Sequence, residues 1–255
     1  TNYLRNIIKV SKGAKLTLIE NFKSDLFNKN SYNIFNNFWI DDEAKLEHII
    51  IQNPQKSNNF IYSALVYSYN NSFFNQVTFQ NGSRSNKFQQ LVNLLGVNST
   101  TNLNGIYFGN ENQFFENKTS VIHHKENCKS NQMYKGILTD QATSSYLSNT
   151  LVKSAAQKTD GYQLSRGMLL SDSCKLNTKP QLKIYADDVK CSHGSTVGEI
   201  DENQLYYLQT RGISKRDSRN ILINAFCADI VEQASDEDTR KHFKTLINNW
   251  LSNNE

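Results

Sequence analysis

The feature that most constrains this chain is a series of short apolar or alternating runs, rich in β-branched and aromatic residues, that recurs from Ala14 to about Gly109. Asn, Ser and Gly separate them. Leu16-Thr17-Leu18-Ile19, Phe38-Trp39-Ile40, His48-Ile49-Ile50-Ile51, Phe60-Ile61-Tyr62, Leu65-Val66-Tyr67, Val77-Thr78-Phe79 and Leu103-Asn104-Gly105-Ile106-Tyr107-Phe108 all read as strands. A spacing of roughly ten to twelve residues leaves little room for helices between them. The fold is thereby restricted to a sandwich, a barrel or the coils of a β-helix, and patterning alone does not choose among the three. Hydrophobic residues make up 38% and charged residues only 20%, so the polarity comes from Asn, Ser and Gln, as suits a turn-rich, strand-rich protein.

The pattern continues through Val121-Ile122-His123, Gly136-Ile137-Leu138 and Leu182-Lys183-Ile184-Tyr185, the last introduced by Pro180 from a place where proline can start a strand. No internal repeat aligns by eye. After Gly198 the periodicity changes from two to about 3.6. Asp201 caps a short helix carrying Leu205, Tyr206 and Leu208, closed by Arg211-Gly212. Ser214 with Asp217 opens a second helix whose expected apolar stripe is Ile221, Leu222, Ala225, Phe226 and Ile230. A third follows Ser235, with Asp236, Glu237 and Asp238 in its first turn and Phe243, Leu246, Ile247, Trp250 and Leu251 along one face.

A chain of 255 residues accommodates one large body with a small appendage. The expected division is residues 1–199 as the strand-rich core and 200–255 as a C-terminal helical domain. The net charge of +4 is spread over scattered lysines and arginines, which argues against nucleic acid as a partner. No window approaches the roughly 20 apolar residues that span a bilayer, and the N-terminus lacks a signal-peptide core, so the chain reads as soluble and cytoplasmic, with no membrane partner. Cys128, Cys174, Cys191 and Cys227 are widely spaced and read as free thiols. The sequons at Asn70, Asn81, Asn98 and Asn117 are what an Asn-rich chain generates by chance. A first residue Thr1 rather than Met suggests a segment of a longer chain.

The densest polar cluster is Tyr185-Ala186-Asp187-Asp188-Val189-Lys190-Cys191-Ser192-His193-Gly194. In an extended segment Cys191 and His193 point to the same side, half of a tetrahedral site for zinc or an iron-sulfur cluster, whose remaining ligands must come from distant residues or another subunit. A packed cysteine beside a surface histidine is the plainer reading of the pair. As nucleophile and base they fail, because i and i+2 side chains run parallel rather than converging. His123 and His124 are adjacent, so a strand sends one inward and one to solvent. A carbohydrate-acting β-helix enzyme needs two convergent carboxylates, and alternation splits Asp187 from Asp188.

The residues from Thr178 to Gly194, followed by Thr196-Val197-Gly198, resemble the signature of the SufB/SufD iron-sulfur cluster assembly family, in the form its SufD members take. Gln204-Leu205-Tyr206-Tyr207-Leu208, Arg211-Gly212-Ile213 and Ala225-Phe226 are similar to the family's continuation, and Tyr134-Lys135-Gly136-Ile137-Leu138, Lys158-Thr159-Asp160 and Met168-Leu169-Leu170-Ser171 to its upstream part. The likeness is specific from about Val121 to Phe226 and diffuse before it. Ser195, Ser148, Cys174 and Lys183 depart from the family's usual residues, and none of them alters Cys191 or His193.

The resemblance implies a mainly β fold, a right-handed parallel β-helix with a small C-terminal α-helical domain, in a non-catalytic scaffold subunit that pairs with SufB and docks the SufC ATPase. It implies that His193 faces SufB and shares in holding a transient iron-sulfur cluster, with Cys191 as its neighbour. It also implies that the family's N-terminal helical region is absent from this sequence. A structural homodimer without a cluster would use the same surface. Because a β-helix exposes edges at its ends, one end is expected to be covered by the helical tail or by a partner.

Overall fold

The alternating runs do form strands, and successive strands alternate between two sheets. A computed structural model describes residues 2–23, 31–54 and 59–254. Among these residues the strands are β1 (Asn2–Val10), β2 (Lys15–Lys23), β3 (Tyr32–Ile40), β4 (Lys45–Asn53), β5 (Asn59–Ser68), β6 (Phe73–Gln80), β7 (Ser85–Leu94), β8 (Thr100–Gly109), β9 (Phe114–His123), β10 (Lys129–Leu138), β11 (Thr143–Val152), β12 (Thr159–Leu169), β13 (Lys175–Ile184) and β14 (Val189–Glu199). The odd strands stack in order from β1 to β13 and the even strands from β14 to β2, every pair parallel. Two strands and two corners make one coil of a parallel β-helix, which decides among the three architectures the spacing left open.

The corners explain why the chain winds so regularly. At one corner of successive coils Gly13, Glu43, Asn71, Asn98, Asn127 and Lys158 all have positive φ. This left-handed conformation turns the chain and aims the residue's N–H at the next corner. Gly13 donates to the Asp42 carbonyl at 2.9 Å, Glu43 to Asn70 at 2.8 Å, Asn71 to Val97 at 2.9 Å and Asn127 to Gln157 at 2.9 Å. The coil is a repeat of slightly varying length: stacked partners lie 27 residues apart at Asn71 and Asn98, 28 at Asn53 and Asn81, and 29 at Ser99 and Cys128.

Alternation along each strand gives the coil an inside and an outside. Phe38, Tyr62, Phe74, Phe88, Leu103 and Phe115 are among the buried residues that fill the lumen. Tight packing there depends on two glycines: a Cβ on Gly105 would fall within the Tyr134 ring, and one on Gly136 within the ring of Tyr107. The odd sheet's outer face meets solvent, whereas the even sheet buries Ile49, Val77, Phe79, Ile106, Phe108 and Ile137 under the helical tail.

That tail comprises α1 (Glu202–Thr210), α2 (Lys215–Val231) and α3 (Glu237–Asn253), capped by Asp201, Ser214 and Asp236. Phe243, Ile247, Trp250 and Leu251 of α3 pack on the sheet, with Phe243 6.1 Å from Phe79 and Trp250 4.9 Å from Phe108 between ring centroids. Beneath α2, the buried Lys135 ammonium donates to the Asp229 carboxylate at 2.6 Å and to the Phe226 carbonyl at 2.7 Å.

Two expectations are corrected and a third is narrowed. The buried stripe of α2 is Ile223, Cys227, Ile230 and Val231, while Ile221 and Ala225 are exposed; the phase is set by the i, i+4, i+7, i+8 positions that face the sheet. Pro180 lies inside β13 rather than at its start, opposite Ser148, where an edge strand tolerates the missing donor. The helices pack on the outward face of the even sheet, where its apolar residues are, so the end cap expected from the tail or a partner is left to a partner.

Candidate functional site

β14 is the last even strand: it pairs with β12 on one edge, and its other edge is unpaired among the described residues. The register sets Cys191 beside Gly161 and His193 beside Gln163. Gly161 and Gln163 are inward positions, since the strand alternates with the outward Leu164 and Met168 under the helices. Cys191 and His193 therefore share the luminal side of the final coil, as alternation predicted.

Their surroundings differ. Cys191 is half-buried against Val152, Ala156, Ala186 and Val189, and a Cβ on Gly161 would lie 3.3 Å from its Sγ. Burial pushes its thiol up, opposed by a backbone hydrogen bond from Gly161 and reinforced by the Asp160 charge. Such a thiol, with no metal beside it, favours its protonated form and is a poor nucleophile. His193 is exposed, with no hydrogen-bond partner among the described residues, because no further coil stacks upon it.

His193 ends a column that runs down the even sheet: Leu18, His48, Gln76, Leu103, Gln132 and Gln163 precede it in register. The histidine at the other end is fully buried. His48 bonds Glu20 Oε2 through Nε2 at 2.7 Å and Gln76 Nε2 through Nδ1 at 3.2 Å. Nε2 carries a proton toward Glu20, and the Gln76 side-chain amide sits on the other ring nitrogen. Glu20 also accepts from Tyr62 at 2.8 Å and from Asn36 at 2.8 Å. Burial raises the Glu20 carboxyl, but the bonds and charge of His48, with those of Tyr62 and Asn36, outweigh it and leave the group below its ordinary range. Nothing in the local sequence signals this network, whose members lie on different coils; only the coil repeat brings Glu20 and His48, 28 residues apart, into one pair.

The other candidates resolve as structural. His123 is buried at the end of β9, 2.9 Å from Ser130 Oγ, and burial with the nearby charge of His124 pushes it down to about 4. His124 is only partly buried and meets Asn93 Oδ1 at 3.1 Å. Asp187 and Asp188 are exposed in the corner before β14, not on a strand; Asp188 accepts from Lys158 N at 2.6 Å, as a stacked corner should. Among the described residues no group of three or more His, Cys, Asp and Glu side chains is placed to hold a metal ion. Cys191 and His193 share one face of β14, beside the edge of that strand that is unpaired among the described residues. No described helix is long and apolar enough to cross a membrane.

Comparison with known proteins matches residues 1–226 to the family model described as SUF system FeS cluster assembly, SufBD core domain. The chain is 34% identical to the iron-sulfur cluster assembly protein SufD of Escherichia coli over 98% of its length, covering 59% of that protein. It is 28% identical to SufD of Bacillus subtilis over 62% of its length, covering 36% of that protein. A SufBD family protein of Synechocystis is 26% identical over 90% of the chain, with 52% of the relative covered. The chain spans about half the length of the curated relatives it matches.

Proposed function

Because the chain belongs to the SufB/SufD family of iron-sulfur cluster assembly proteins, in its SufD branch, we propose that it is a scaffold subunit whose half-site is completed by SufB and whose helices dock the SufC ATPase. The observation that carries this reading is His193, a luminal residue left exposed on the edge strand that ends the stack. The outer edges of β13 and β14, unpaired among the described residues, offer rows of free N–H and C=O groups that a partner's strands can extend. Such pairing would bring the partner's ligands opposite His193.

The cluster is cargo, held in transit. A neutral imidazole is a weaker iron ligand than a thiolate, so a mixed site holds a cluster and yet releases it to an acceptor. Cys191 lies against Val152, Ala156 and Ala186 and serves as packing beside the ligand. The division of labour follows the chain, with residues 1–199 forming the pairing core and residues 200–255 the docking domain. On the helices, the α3 face is committed to the sheet, which leaves Tyr206, Tyr207 and Ile221, exposed at 69%, 62% and 45%, as the surface for SufC.

The test is anaerobic co-expression with SufB and SufC, followed by iron and sulfide analysis of the purified complex. His193→Ala should assemble and lose cluster, while Cys191→Ala should assemble and retain it. A His193→Ala complex with wild-type iron and sulfide rules out the ligand role. Tyr206→Glu with Ile221→Glu should release SufC while SufB pairing persists. A homodimer that forms as readily with SufB present as without it would reassign the free edge to self-pairing.

A further inference from the structure

A cleft opens on the helical tail between the first turns of α2 and the last turns of α3. Its volume is about 370 Å³, and Leu170, Lys215, Arg216, Arg219, Trp250 and Leu251 are among the residues that line it. Trp250 and Leu251 are 4% and 5% exposed, and with the partly buried Leu170, which follows β12, they supply its apolar surface. α2 supplies the cations. Among the described residues no carboxylate lines the cleft.

Those cations stand where helix physics disfavours them. Lys215 and Arg219 are one turn apart, where like charges repel, and both lie in the first two turns of α2, near the positive end of the helix dipole. Neither side chain has an ion pair or hydrogen bond among the described residues. The carboxylate of Asp217 accepts from the Ser214 hydroxyl at 2.7 Å as part of the cap and does not line the cleft. Arg219 is half-buried, so water screens its charge only in part. One bound anion would relieve the repulsion and the dipole together.

We propose that this cleft binds a small organic anion, a carboxylate or phosphate carried on an apolar body the size of one aromatic ring. The chemistry of the lining selects the ligand. The Arg219 guanidinium offers a fork of donors that matches an oxyanion, Lys215 adds a point charge, and Leu170, Trp250 and Leu251 take the apolar body. Small-ligand sites run from roughly 300 to 1,000 Å³, so this cleft stands at the lower end and admits one small molecule. A bare inorganic anion leaves the apolar surface unused, and a neutral aromatic leaves the cations unrelieved. The site lies apart from the free edge of β14 and uses none of Tyr206, Tyr207 and Ile221, so it is additional to the proposed scaffold role.

The chain carries its own reporter, because its 2 tryptophans are Trp250 in the cleft and Trp39, stacked on Tyr67 in the odd sheet. In an isotope-labelled sample, titration with phenyl phosphate or phenylacetate should shift the Trp250 indole N–H signal to saturation and leave that of Trp39 in place; Trp39→Phe assigns the two. Inorganic phosphate should bind roughly tenfold more weakly or worse, and so should phenyl phosphate to the double variant Lys215→Gln with Arg219→Gln. Without ligand the double variant should be no less stable in thermal melts, since it removes repulsion. No saturable shift at Trp250 with either organic anion overturns the proposal. So does equal affinity for inorganic phosphate, equal affinity in the double variant, or a double variant that melts earlier, which would make the cations structural. If the double variant does not fold, Lys215→Gln alone, at an exposed position, must weaken phenyl phosphate binding, and unchanged affinity there overturns the proposal.

Discussion

The middle coils and the last coil are built on the same alternation, yet they do opposite things with the same residue type. His48 and His123 face the lumen from the interior of the stack; both are fully buried, and each has partners, Glu20 and Gln76 for one and Ser130 for the other. His193 occupies the same inward register on β14 and is exposed and unpartnered among the described residues. The difference lies in stacking and not in local sequence. A luminal side chain in mid-stack has a coil above and below, whereas one in the final coil has a neighbour on one side only. A β-helix therefore converts a structural position into an accessible one simply by ending.

The largest way to break this contrast is to attack what holds the middle coils. Phe108 is buried under α3, its ring 4.9 Å from Trp250. Phe108→Ala should cost ~3–5 kcal/mol in chemical denaturation, the range for truncating a buried aromatic. A cost near that of an exposed site would mean that the helices are only loosely attached to the sheet, and that the middle coils are no better enclosed than the last.

The pH dependence sharpens the contrast next. The His123 ring is pushed from its ordinary 6.5 down to about 4, first by burial and then by the charge of His124. Below pH 6.5 the unfolded chain binds a proton that the folded chain refuses, so stability falls as pH drops from 6.5 toward 4 and levels off below that. The contribution is at most about 3 kcal/mol. Glu20 acts in a lower window: its carboxyl is held below the ordinary range, so its stabilisation is present above that range and is lost as the folded group protonates. Denaturation midpoints measured across pH should show the upper slope disappear in His123→Asn; a slope that persists would mean that the ring is not the buried neutral base.

Much of this contrast was hidden from the sequence, for identifiable reasons. The strands were legible because alternation is local, and the helix starts because Asp201, Ser214 and Asp236 cap within three residues of themselves. The phase of α2 was misread because Ile221-Leu222-Ile223 is apolar throughout, and only Cys227 and Val231 show which of the three faces the sheet. The coil repeat escaped notice because the corner residue with positive φ is Gly, Glu, Asn or Lys in different coils. The pairing of Cys191 with His193 could be read from their spacing. Their unequal exposure could not, since it depends on where the stack stops and on the Val152, Ala156 and Ala186 cluster beneath the thiol.

The smallest expected effect is the most discriminating. His193→Ala in the isolated chain should move the unfolding free energy by no more than about 0.5 kcal/mol, as for surface substitutions without special partners. His123→Ala removes a buried ring that bonds Ser130 and leaves a cavity beside an unsatisfied hydroxyl, and should cost several times as much. The two substitutions delete the same atoms from luminal positions of the same fold, so the difference between them isolates what stacking contributes. If His193→Ala proves as costly as His123→Ala, the last coil is as closed as the middle ones and its histidine belongs to the core. If it is nearly free, the side chain makes no contribution to folding, and loss of cluster in the same variant cannot be blamed on a damaged scaffold.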